Sequence, residues 1–105
     1  MNAETIDILL LGSGGREHAL AVKLAASPRC GKLYIAPGNG GTVAVGENVA
    51  LDENDPAAVA DFAREAGCGL VVIGPEAPLV AGVADAVRAA GIPCFGPGAE
   101  GAQME

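Results

Sequence analysis

The sequence predicts an α/β fold of three layers, a mostly parallel sheet between helices, and three observations carry that prediction. Ile6 to Leu11 and Leu70 to Ile73 are apolar runs of strand length, interrupted only by Asp7, as strands covered on both faces require. Val59, Phe62, Ala63 and Ala66, and again Val80, Val83, Ala84 and Val87, follow the i, i+3, i+4, i+7 spacing of one buried helical face. Most of the 16 glycines and 7 prolines fall between these segments as punctuation. A chain of 105 residues has room for one core, so residues 1–105 are expected to form one domain.

The first strand, Ile6 to Leu11, closes at Gly12-Ser13-Gly14-Gly15. Arg16 to Ala26 is rich in helix formers, with Leu20 and Leu24 one turn apart, and Ser27-Pro28 stops it. Leu33 to Ala36 reads as a second strand, followed by the loop Pro37-Gly38-Asn39-Gly40-Gly41-Thr42, and Asn48 to Leu51 as a third, weaker one. Asp55-Pro56 supplies an N-cap and a proline at the first helical position, where its missing N–H costs nothing; Gly67 ends that helix. Leu70 to Ile73 then runs into Gly74-Pro75-Glu76-Ala77-Pro78. The next helix stops at Gly91, and Ile92 to Phe95 forms the last strand before Gly96-Pro97-Gly98. The order strand, helix, strand, strand, helix, strand, helix, strand suits right-handed crossovers in a parallel sheet.

Six basic against thirteen acidic residues leave a net charge of −7, which disfavours nucleic acid and anionic membrane surfaces as partners. Arg16, Lys23, Arg29 and Lys32 nevertheless lie in one early segment whose only acid is Glu17, where a small anion is a possible guest. Glu76 and Asp85 break up the most apolar region, so no membrane span is expected. Met1-Asn2-Ala3-Glu4 has no basic region of the kind that begins a secretory signal. Cys30, Cys68 and Cys94 are odd in number, far apart and without a CxxC pair, which points to reduced thiols in a cytoplasmic protein and to no metal site.

Ligands of open parallel sheets bind beyond the carboxyl ends of the strands, and three loops leave such ends here: 12–17, 37–42 and 74–78. Gly12-Ser13-Gly14-Gly15-Arg16-Glu17 follows a strand and opens a helix, so its backbone N–H groups can face an anion, phosphate above all. The same glycines also suit a plain strand-to-helix turn. A dinucleotide fingerprint would need glycine where Glu17 stands and an acid where Ala36-Pro37 stands, and the Walker GK[ST] is absent. Arg16 reads equally as a phosphate fork or a solvated first-turn residue. His18, the single histidine, has no nucleophile beside it and reads as a packing residue. Asn39 tolerates the turn conformations of its glycine-rich loop and offers both donor and acceptor atoms. Glu76, a carboxylate between two prolines, suits acceptance from sugar hydroxyls or stands as a solvated loop acid.

Four stretches together, 12–20 (GSGGREHAL), 36–42 (APGNGGT), 72–80 (VIGPEAPLV) and 95–97 (FGP), resemble the amino-terminal domain of the phosphoribosylamine-glycine ligase family, also called glycinamide ribonucleotide synthetase. The resemblance covers essentially the whole chain. Its departures are small: Ser13 where asparagine is common, Gly40 where alanine is common and Gly98 where threonine is common. The resemblance implies a Rossmann-like pre-ATP-grasp domain of an enzyme of de novo purine biosynthesis. In that family ATP activates glycine, the amine of 5-phosphoribosylamine attacks, and the products are glycinamide ribonucleotide, ADP and phosphate.

The resemblance further implies that this domain helps bind the phosphoribosyl substrate, while ATP and Mg2+ are held mainly by ATP-grasp parts beyond Glu105, leaving the 105 residues inactive alone. Carried over residue by residue, Gly14, Gly15, Arg16 and Glu17 would border the substrate phosphate and amine, Asn39 and Gly41 would line the same cleft, and Glu76 would face the ribose. No catalytic residue is implied. The alternatives are a stand-alone nucleotide- or CoA-binding module and a fragment of a nicotinamide-dependent oxidoreductase.

Overall fold

The computed structural model describes residues 5–12, 14–52, 55–74 and 81–95. The most apolar stretch of the sequence becomes its middle strand. Ile6–Gly12 (β1) pairs in parallel with Cys30–Pro37 (β2) on one side and Cys68–Ile73 (β4) on the other. The two-residue strands Glu47–Asn48 (β3) and Cys94–Phe95 (β5) complete a five-stranded, all-parallel sheet in the order β3-β2-β1-β4-β5. The helices are Gly15–Ala25 (α1), Pro56–Ala66 (α2) and Ala81–Ala89 (α3).

Successive strand residues point to opposite faces, so β1 feeds two cores. Ile8 and Leu10 join Leu33, Ile35 and Val72 under Ala21, Leu20 and Leu24 of α1. Leu9 and Leu11 join Val71 and Ile73 under Val59 and Ala63 of α2 and Val83 and Val87 of α3. Leu9, Leu10 and Leu11 are all fully buried, each contributing about 1.5–3 kcal/mol. The three-layer, Rossmann-like expectation is met. Phe62 turns inward with Val59, half-buried and edge-on to Tyr34 at 5.2 Å between ring centres, while Val80 lies outside the described residues.

The termini of α2 follow the chemistry of its ends. Asp55 accepts a hydrogen bond from Ala58 N at 3.2 Å, and Gly67 closes the helix in the left-handed region at φ +74°. Strand boundaries differ from expectation at several places, and β4 begins at Cys68, two residues early, because Cys68 stands opposite Asp7. β2 begins at Cys30, three residues early, because Cys30 stands opposite Ile6. β3 is Glu47–Asn48 rather than 48–51, opposite Tyr34 and Ile35. β5 starts at Cys94 because Ile92 N still donates back to Val87 O at the end of α3. Among the described residues no helix is long and apolar enough to cross a membrane.

Candidate functional site

The carboxyl ends of β1, β2 and β4 are joined by backbone hydrogen bonds that continue past the strands. Gly38 N donates to Gly12 O at 3.0 Å, and Gly74 N donates to Leu11 O at 2.8 Å. The chain therefore leaves the sheet three times at one rim, after Gly12, Pro37 and Ile73, and the first departure opens α1. There Gly14 is extended (φ −86°, ψ −176°), its carbonyl accepts His18 N at 3.1 Å, and its N–H donates to Glu17 Oε1 at 2.8 Å. Gly15 and Arg16, the first helical residues, are exposed, and a Cβ on Gly15 would meet no atom within 4 Å.

Glu17 faces the other way. It is fully buried, and its side chain occupies the space where Gly12 and Gly74 would carry a Cβ; either would overlap Glu17 Cγ. Gly12 also stands at φ +139°, which L side chains rarely adopt.

The loop after β2 is held by its own polar side chains. Asn39 Oδ1 accepts from Gly41 N at 2.8 Å and Thr42 N at 2.9 Å, and Asn39 N donates to Thr42 Oγ1 at 2.7 Å. Asn48 Nδ2 donates to Asn39 O at 2.8 Å, and the hydroxyl of buried Thr42 lies 2.8 Å from Asn48 Oδ1. From this braced turn Asn39 Nδ2 reaches across to Gly14 O at 3.3 Å, and a Cβ on Gly41 would lie 3.2 Å from the His18 ring. Gly14, Gly15, Arg16, Glu17, Asn39 and Gly41 are thus brought to one rim, with Glu17 beneath the turn. Glu76 lies outside the described residues.

The basic segment does not stay together. Arg29 O accepts from Ile6 N, and Lys32 N donates to Asp7 Oδ1 at 2.8 Å, which puts both residues at the amino end of β1, opposite Arg16. A helix of eleven residues separates the two ends by about 16 Å. Cys30 and Cys68 begin β2 and β4, at the opposite end of the sheet from the rim. Burial, and to a lesser degree the Asp7 carboxylate, push Cys68 up to about 11; burial also raises Cys30 and Cys94. They are therefore protonated and unreactive near neutrality. Among the described residues no three of His, Cys, Asp and Glu come together to hold a metal ion.

The sequence profile described as "Phosphoribosylglycinamide synthetase, N domain" matches residues 6–105. The chain belongs to this family. Two curated relatives show how close this N domain lies to known members. It is 54% identical over 100 residues to the phosphoribosylamine-glycine ligase of Allochromatium vinosum and 59% identical over 98 residues to that of Agrobacterium fabrum. Each alignment covers 93% of this N domain but 23% of the relative, so the chain spans under a quarter of their length. Among solved structures, the apo histidine-tagged saccharopine dehydrogenase (L-Glu forming) of Saccharomyces cerevisiae superposes with a TM-score of 0.64 at 18% identity, over 87% of this chain and 21% of that one. That likeness is one of fold alone.

Sequence reasoning missed Thr42 and Asn48 as braces of the Asn39 turn, and Gly12 and Gly74 as the walls around Glu17. The spacing Gly14-x-x-Glu17 at a helix start was a usable signal, since an acid at that third position reaches back to the cap N–H. Nothing in the sequence marked Asn48, nine residues from its partner.

Proposed function

We propose that this domain receives the phosphoribosyl part of 5-phosphoribosylamine within a phosphoribosylamine-glycine ligase, a cytoplasmic enzyme of de novo purine biosynthesis that joins glycine to the amine as ATP goes to ADP and phosphate. The observation that carries the reading is the rim itself: an open helix start at Gly15 and Arg16 stands beside the braced turn of Asn39 and Gly41, at the strand ends where such sheets bind ligands. The first N–H groups of a helix have no partner within it, and the dipole there favours an anion, which suits a sugar phosphate. Glu76, two residues past Gly74, supplies a carboxylate for ribose hydroxyls in this proposal. Net charge −7 argues against a nucleic acid or membrane partner.

ATP with Mg2+ fits this chain poorly. The 12–16 turn has no lysine for the terminal phosphates. We therefore assign nucleotide and metal to the rest of the ligase, and the residues here to binding and orientation. Titration with ribose 5-phosphate, followed by amide NMR, tests the proposal. Shifts are expected at Gly14 to Arg16 and Asn39 to Gly41, and Gly15→Val should abolish them by filling the approach. Shifts elsewhere only, or equal shifts in Gly15→Val, would refute the placement.

A further inference from the structure

Among the described residues Glu17 is the one charged side chain that is fully buried. A carboxylate taken out of water is costly unless its oxygens find donors, so what surrounds it matters. Its surroundings suggest what it is retained for. Oε1 accepts the Gly14 N–H at 2.8 Å, and Cγ, Cδ and Oε2 fill the slot left open because residues 12 and 74 are glycine. Those glycines end β1 and follow β4, so one side chain touches the carboxyl ends of two strands and the cap of α1.

We infer that Glu17 is a positioning residue that acts through Gly14. By drawing the Gly14 N–H inward it fixes the cap, so that the exposed start of α1 at Gly15 faces an incoming phosphate. By filling the slot it sets Gly12 and the start of α1 at a fixed distance from Gly74, two residues before Glu76. Glu17 itself does not touch the ligand. This rests on the reading that the rim binds a phosphoribosyl group.

The test compares the whole 105-residue chain with Glu17→Met, which fills the slot without an acceptor, and Glu17→Gln, which keeps the acceptor without the charge. Three readouts are taken: melting temperature, hydrogen exchange at the Gly14 amide, and the dissociation constant for ribose 5-phosphate. Glu17→Met, which leaves the Gly14 N–H without its acceptor, should melt lower than the parent, exchange the Gly14 amide faster and bind roughly tenfold more weakly. Glu17→Gln should stay within about threefold of the parent on both counts, because its Oε1 still accepts. Val59→Ala, which loosens the core under α2, should lower the melting temperature and leave the dissociation constant alone.

Should Glu17→Met fail to fold, Glu17→Asp, which withdraws the acceptor from Gly14, is expected to show the same weakening. Unchanged affinity in Glu17→Met or Glu17→Asp overturns the inference. Glu17→Gln binding as weakly as Glu17→Met also overturns it, since the charge itself would then be what the ligand senses. A parent chain that binds no ribose 5-phosphate refutes the phosphoribosyl reading first and takes this inference with it.

Discussion

A methyl group added at Gly15 and one added at Gly74 would sit on either side of the same turn with opposite results. Gly15 opens onto empty space at the first position of α1, so Gly15→Ala should leave stability unchanged or raise it by up to about 1 kcal/mol, as alanine does in a helix. Gly74→Ala drives a Cβ into Glu17 and should cost about 1–3 kcal/mol of overpacking; urea unfolding of the two variants measures the difference. Cys68 sets a pH dependence whose direction follows from its raised value. The folded chain keeps the thiol proton where the unfolded chain has lost it. This contribution to stability is therefore complete below 9.0, the ordinary thiol value, and is lost as pH rises from there to about 11. Urea midpoints taken at about pH 8 and pH 11 should fall between the two, and fall less in Cys68→Ala.

At the scale of elements, α2 joins the larger core through Val59 and Ala63 and reaches Tyr34 through Phe62. Phe62→Ala removes a half-buried ring and its edge-on partner, for an expected loss of about 3 kcal/mol in denaturant unfolding. The existence and order of the elements were legible because each is announced locally: β1 by its apolar run, α2 by Asp55-Pro56 before it and Gly67 after it. Edges were less legible because pairing decides them. Cys30 joins β2 only because Ile6 stands opposite, which no local pattern encodes. At the candidate site, the glycine-rich turns were visible as turns. The inward course of Glu17 was not, because it depends on Gly74, 57 residues away, leaving room for it. The grouping of Arg16 with Arg29 and Lys32 failed for a related reason: closeness along the chain says nothing about which end of a helix a residue occupies.

For the molecule as a whole, the proposed division of labour predicts that the 105-residue chain alone releases no ADP above background when given ATP, glycine, Mg2+ and freshly generated phosphoribosylamine. Clamping ATP and aligning glycine require groups that the described rim does not bring together, and the relatives carry over three quarters of their length elsewhere. Turnover that disappears in Glu76→Ala would overturn that division. The strand order also bears on how the chain is made. β1 leaves the ribosome before the other described strands of its sheet yet occupies the centre, so Leu9, Leu10 and Leu11 wait for partners that do not yet exist. β2 follows soon, but β4 begins at Cys68, several seconds later at roughly 5–20 residues per second. During that interval one edge of a strand that is apolar throughout residues 8–11 has no partner from its own sheet and is open to any other nascent segment.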